Sequence, residues 1–303
     1  MQSTIKNWLL LLFLACIWGS SFLLMKRGMI HKPSGEFIFS NQQVGVLRML
    51  IASSVMLPFA FRYIRDFKNL KLTLTLALVG FLGNFFPAFL FTYAETGISS
   101  GYAGMLNSCT PIFTLLIGAL FFHQTLLKNQ LIGVGIGTIG IITLVNGVQL
   151  VDTSGSWNHV FAVVLATLFY AISVNVIRYQ LKGISAIKIT SMAFSLTFIP
   201  SLILFFYFDT HQAIISNNNA FYGLNHIIVL AVIGTAFSVV LFNYLIAQSS
   251  ALFASSVTYF IPVVAVLIGF WDGEKLSWVK VIAMFVILCG VYIANHINKR
   301  KLL

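Results

Sequence analysis

The sequence predicts an all-α integral membrane protein: ten transmembrane helices in two inverted-topology five-helix repeats, with the N- and C-termini cytoplasmic. Three observations predict it. The 303 residues are 59% hydrophobic and only 8% charged, with a mean hydropathy of +0.95. A soluble domain carries about 25% charge, so this chain lacks the polar residues to coat a water-facing surface. Apolar runs long enough to cross a bilayer as helices recur along the whole chain. Finally, the stretch from Phe91 to Gly118 occurs twice. A shift of 151 residues lays Phe91 on Phe242, Tyr93 on Tyr244, Ser99 on Ser250, Ala103 on Ala254 and Pro111 on Pro262.

The apolar runs fall at 7–25, 44–61, 73–94, 100–121, 130–148, 159–177, 189–208, 226–247, 251–271 and 279–296. They are continuous rather than alternating and about twice too long for barrel strands, which assigns helices. The first begins after Lys6 like a signal peptide, and Leu14-Ala15-Cys16 is a poor lipoprotein-like site. Its apolar character continues to Met25 and it has a second-half counterpart, so it reads as a retained helix. The second run carries Arg48 two turns in, and the third ends at Glu95. The fourth holds Asn107, Ser108, Thr110 and Pro111. In the fifth, Gly133, Gly135, Gly137 and Gly140 mark close backbone packing. No strand precedes these glycines and no Walker lysine follows, which removes a nucleotide loop.

The sixth run repeats the first at a shift of 152: Trp18 meets Tyr170, Ser21 meets Ser173 and Lys26 meets Arg178. Runs eight and nine repeat three and four. Gly140 and Gly290 pair at a shift of 150. The halves therefore divide at 1–149 and 150–303. A cytoplasmic N-terminus places most of the 18 Lys and Arg residues on the inner side. Five helices per half is an odd number, so the second half lies upside down relative to the first. Inverted repeats of this kind are the architecture of secondary transporters, with the substrate near the midplane.

Other function classes fit poorly. The +11 net charge lies between apolar runs rather than on one basic patch, so no nucleic-acid partner is expected. Cys16, Cys109 and Cys289 sit far apart inside apolar segments, without disulfide or metal spacing. His31, His123, His159, His211, His226 and His296 form no metal or catalytic cluster, and Asp152, Asp209 and Asp272 are boundary residues. No enzyme activity, metal or cofactor is expected; the partners are the lipid bilayer and a small-molecule substrate.

In this order the residues resemble the drug/metabolite transporter superfamily, in particular its EamA-type permeases. The matching features are Trp18-Gly19-Ser20-Ser21-Phe22, Arg48, the Tyr93…Ser99…Pro111 and Tyr244…Ser250…Pro262 blocks, and the turn Gly273-Glu274-Lys275-Leu276 before a Gly-rich last helix. The first-half turn departs from the pattern, with Gln124 where the family usually has Glu. The resemblance spans about 8–296 and implies a ten-helix basket in the inner membrane around a central cavity lined by helices 1, 3, 4, 6, 8 and 9. It implies export or exchange of amino acids, amines or related metabolites. A membrane-embedded binder, sensor or enzyme that reuses the fold without translocation is the alternative.

Within that frame the candidate substrate contacts are Trp18, Asn84, Tyr93, Asn107, Tyr170, Asn175, Asn243, Tyr244, Thr258 and Tyr259. Polar side chains in lipid are costly unless partnered, so each serves either a solute or a neighbouring helix. Pro111 and Pro262 remove a backbone donor in mid-span and offer matched kinks, as hinges or as static packing. Arg48 has four readings: an ion pair with Glu95, snorkelling to the outer headgroups, capping of a helix C-terminus, or recognition of a substrate carboxylate.

Overall fold

The computed structural model describes residues 5–98, 100–147, 157–271 and 278–295. Ser99, the division at 149/150 and the Gly273-Glu274-Lys275-Leu276 turn lie outside the described residues. Among the described residues the regular secondary structure is helical, joined by short turns, apart from one antiparallel bridge between Ile30 and Phe37.

Among the described residues, seven helices are long and apolar enough to cross a membrane. They are α1 (Ile5–Met29), α2 (Asn41–Ala60, continued by a 3-10 stretch to Lys68), α3 (Leu70–Ala94), α4 (Ser100–Phe122), α6 (Trp157–Gln180), α7 (Ala186–Tyr207) and α8 (Ala220–Gln248). Three more occupy the remaining apolar runs: α5 (Lys128–Gly147), α9 (251–271) and α10 (Trp278–Asn295). Most are apolar on every side, as expected of helices with protein on one face and lipid on the other. Leu9, Phe13, Leu120, Phe121 and Ile203 point outward and exposed, a surface fit for acyl chains rather than water.

Local chemistry sets the ends. Ser40 and Gln43 form a capping box at α2, with the Ser40 side chain accepting from the Gln43 N–H at 3.2 Å. Ser250 accepts from the Phe253 N–H at 3.0 Å and starts α9. The duplicated serine of the sequence repeat is thus, in its second copy, a helix cap. A short helix, Thr210–Ser216, bridges α7 and α8, and α8 begins six residues before the apolar run suggested, at Ala220. His226 interrupts the hydropathy without interrupting the helix, because its Nδ1 is 2.7 Å from the Tyr222 carbonyl one turn back.

The two halves interdigitate. α1 packs against α8 and α9, and α6 packs against α3 and α4; α2 lies on α7, and α5 on α10. The glycines of α5 explain the last contact. A Cβ on Gly140 would lie 2.8 Å from the Ile287 backbone nitrogen, and one on Gly290 would collide with the Gly137 backbone. Only glycine allows so close an approach.

α3 and α8 each contain one wide π-helical turn, at Phe81–Phe85 and Val232–Phe237. The two turns are related by the same shift of 151 residues as the repeat, which extends the pairing to Gly83/Gly234 and Asn84/Thr235. π-turns of this kind concentrate at functional sites.

α4 and α9 are both interrupted near their prolines. α4 breaks at 108–109, so Pro111 sits in the first turn of Thr110–Phe122 rather than at a mid-helix kink. α9 breaks at Ser256, and Pro262 remains inside Val257–Trp271. Proline leaves the carbonyl four residues upstream without its helical donor. Those carbonyls belong to Asn107 and Thr258, a repeat pair, and both are satisfied by hydroxyls. Thr110 Oγ1 donates to Asn107 O at 2.7 Å, and Ser108 Oγ donates across the halves to Thr258 O at 2.8 Å.

This arrangement predicts a thermodynamic coupling. Ser108→Ala should destabilise the detergent-solubilised protein by about 1 kcal/mol, the range of interhelical hydrogen bonds in membranes. In a Pro262→Ala background the restored N–H can serve Thr258 O, and the Ser108→Ala loss should shrink towards zero. Thermal melts of the four-variant cycle check it; additive losses would refute the compensation.

Candidate functional site

A cavity opens between the halves, holding about 1000 Å³ of empty space with its mouth included. It receives both members of successive repeat pairs: Trp18 and Tyr170, Ser21 and Ser173, Gly83 and Gly234, Asn84 and Thr235, Phe91 and Phe242, Asn107 and Thr258. Arg48, Thr190 and Asn243 add polar groups.

The π-turns shape its walls. Gly83 lies against Ser173 and Gly234 against Ser21, so both crossings are built from the same two residue types, a glycine under a serine hydroxyl. Trp18 Nε1 donates to Gly234 O and Ser238 Oγ, both at 3.0 Å, and its ring meets Phe242 edge-on at 5.0 Å between centroids. The first helix is thereby tied to the widened turn of the eighth. Thr235, in the same turn, donates to Leu230 O at 2.9 Å and accepts from Arg48 Nε at 2.8 Å. Asn243 Nδ2 donates to Thr190 Oγ1 at 2.9 Å, leaving its buried Oδ1 without a partner among the described residues.

The structure thus gathers Trp18, Asn84, Asn107, Tyr170, Asn243, Thr258 and Arg48 of the expected site residues into one cavity. It places others elsewhere, for physical reasons. Tyr93 faces outward, 36% exposed, and stacks on His159 at 4.6 Å. Its repeat partner Tyr244 is also 36% exposed, with Lys6 Nζ 5.8 Å from its ring. Asn175 is spent on packing, its Nδ2 donating to Thr114 O and Ala171 O at 3.0 and 2.9 Å. Tyr259 fills a separate buried cluster with Met105, Ala283 and Ile287, its ring in the space that Gly137 leaves without a side chain.

The expected Arg48–Glu95 pair does not form. Arg48 bonds Thr235 and rests on Met25 Sδ at 3.9 Å, while Glu95 Oε2 accepts from Ser100 Oγ at 2.7 Å. Glu95 lies just past the end of α3, and its Oε1 is buried without a partner among the described residues. Burial pushes its carboxyl up to about 8, against the Ser100 hydrogen bond and the Lys26 charge. A folded pKa above the unfolded value gives a stability contribution that is full below about 4.5 and lost as pH rises through about 8. Relative to Glu95→Gln, the melting temperature of the parent should fall across that window; parallel pH profiles would contradict the assignment.

The residues that the sequence did not nominate are Thr190, Thr235, Gly83, Gly234, Ser21 and Ser173. Ser21/Ser173 stand out as a repeat pair, and extending the shift to Gly83/Gly234 and Asn84/Thr235 is the available signal for the π-turn residues; Thr190 has no counterpart of its kind in the repeat.

Comparison with known proteins points to one family. The family described as "EamA-like transporter family" matches residues 6–146 and again 157–296. A protein of Escherichia coli named "Uncharacterized inner membrane transporter YedA" is 28% identical over 283 residues, 92% of this chain and 87% of its own. An Archaeoglobus fulgidus protein named "Uncharacterized transporter" is 25% identical over 95% of this chain and 98% of its own. A Salmonella typhimurium "Probable amino-acid metabolite efflux pump" is 30% identical over 140 residues, 46% of this chain and 43% of its own. One solved crystal structure superposes with a TM-score of 0.69 over 97% of both chains at 13% identity, a likeness of fold.

Proposed function

This chain belongs to the EamA-like transporter family, and from that premise we propose that it is an inner-membrane permease exporting small organic solutes by alternating access. In this reading ten helices cross the membrane, the halves divide at 149/150 as inverted repeats, and both termini are cytoplasmic. The solutes are of the amino-acid, amine or related metabolite class. The observation that carries it is the cavity built from both members of successive repeat pairs. Such a site can face either side of the membrane by exchanging the conformations of two equivalent halves. The names of the relatives, one an inner membrane transporter and one an amino-acid metabolite efflux pump, support the location and the solute class.

The cavity's chemistry fits a small amphipathic solute. Aromatic and aliphatic walls hold a hydrophobic body, and a few placed polar groups orient its head. The interrupted α4 and α9 supply paired hinge points beside Asn107 and Thr258, where backbone bonding already depends on hydroxyls rather than on the helix ladder.

The test is comparative metabolite profiling of culture medium from cells expressing the protein, an empty vector, or an Asn107→Ala/Thr258→Ala variant shown to reach the membrane. One solute class should accumulate outside only with the intact protein. Equal media, followed by equal uptake, would overturn the reading and favour a binder without translocation.

A further inference from the structure

We propose that the cavity is a carboxylate site: the Arg48 guanidinium receives the single negative charge of a solute whose apolar body lies among Trp18, Phe22, Phe91 and Phe242. The inference deepens the transport reading and rests on it for the solute's passage.

Arg48 sits in the middle of α2 and lines the cavity. A guanidinium carries five N–H donors and no acceptor. Nε is spent on Thr235 Oγ1, and Nη1 finds only the Met25 sulfur at 3.9 Å, a weak acceptor. Among the described residues no carboxylate pairs with it. Thr235 fixes the fork by holding Nε, since its own proton goes to Leu230 O. Most of the donors therefore have no acceptor among the described residues. An uncompensated cation at membrane depth is costly, and such residues mark ion or substrate pathways.

The rest of the lining reinforces the sign. Among the described residues it contains neither Asp nor Glu, and Arg48 is its one basic residue. Asn107 also lines the cavity, and its amide carries two N–H donors. The Asn84 amide, in the π-turn of α3, bonds no described residue while lining the same cavity. An ammonium would meet like charge without any acid to receive it. A planar carboxylate instead meets a fork suited to bidentate pairing. One cation matches one negative charge, so a monocarboxylate fits better than a phosphate dianion. The aromatic walls then prefer an apolar tail. This narrows the solute class to organic acids, including amino acids only where the unpartnered Asn243 Oδ1 takes their ammonium, and removes simple amines.

The experiment measures binding to the purified full chain by ligand-dependent melting shifts. The probes are hydrocinnamate, its neutral amide, phenethylamine and inorganic phosphate; the first three share one aromatic body. Hydrocinnamate should bind at least about tenfold more tightly than the amide, the amine or phosphate, a difference worth one charged hydrogen-bonded pair. Arg48→Lys should keep the preference and weaken hydrocinnamate about tenfold, and Arg48→Gln should erase the preference. If Arg48→Gln fails to fold, Thr235→Val, which releases Nε but keeps the charge, should weaken hydrocinnamate and leave the amide unchanged. Equal binding of amide or amine, tighter binding of phosphate, no binding of hydrocinnamate, or an unchanged preference in the variants would each overturn the proposal. The same protein in proteoliposomes separates the two readings. Bound but untransported hydrocinnamate would sink transport and leave the site standing. Transport indifferent to the carboxylate would do the reverse.

Discussion

Trp18→Ala should lower solute export about tenfold or more at unchanged membrane content, while Tyr244→Ala should leave it within about twofold. The contrast follows from where the two rings lie. Trp18 lines the cavity, donates to Gly234 O and Ser238 Oγ, and meets Phe242 edge-on. Removing it deletes an aromatic contact worth about 0.5–1.5 kcal/mol beyond its buried area, together with a hydrogen-bonded tie between the halves. Roughly 1.4 kcal/mol at a site that must hold solute in both orientations is already tenfold. Ser238 also donates to Gly234 O at 2.7 Å, so that carbonyl keeps a partner and the fold should survive. Tyr244 is 36% exposed and touches no part of the cavity. Trp18→Phe should fall between, keeping the ring and losing the N–H. Export assays normalised to membrane content check the series; equal effects of Trp18→Ala and Tyr244→Ala would refute the placement of the site.

Tyr244 also shows what kind of information the sequence holds. Tyr93 and Tyr244 match across the repeat and were natural candidates for an aromatic wall. They do share an environment, each exposed to the same degree, but it is the outer surface and not the cavity. Internal symmetry reports that two positions are equivalent; it does not report which way they face. With helices apolar on all sides, the hydropathy pattern carries no phase to supply the missing direction. Asn175 fails for a related reason. A polar residue in lipid needs a partner, and composition alone does not separate a solute from the Thr114 carbonyl that it bonds.

Segment positions were far more legible, because bilayer thickness writes itself into run length. The helices at 5–29, 70–94 and 100–122 lie within a few residues of the expected runs. What run length hides is the irregularity inside a helix. Neither π-turn interrupts an apolar run, and each costs only one extra residue in a turn. Arg48 stands out in the sequence as a charge inside an apolar run, with Glu95 one possible partner by its place at the end of the next run. The hydroxyl that holds it, Thr235, is an ordinary polar residue until the π-turn aims it inward.

That aim is the basis of the second large effect. Deleting Ile233 from the Val232–Phe237 turn should abolish export, whereas Ile233→Ala should leave it within about twofold. Ile233 is 46% exposed and faces away from the cavity, so its side chain contributes little. Its backbone is a different matter. Removing one residue lets the turn relax to ordinary α-helical winding, which absorbs the deletion within that turn. Leu245 and Ile246 beyond it, and Leu230 and Ala231 before it, are fully buried and would keep their register, so the fold should survive. The groups inside the turn would not keep their aim. Thr235 would leave Arg48, and the Gly234 carbonyl would leave Trp18. The repeat gives an independent check. Leu82 is the counterpart of Ile233 in the turn of α3, and its deletion should have the same consequence from the opposite half. Export retained by either deletion at normal membrane content would show that the cavity does not depend on the widened turns. Loss in both, with both alanine variants active, would tie transport to the widened turns at two symmetry-related points.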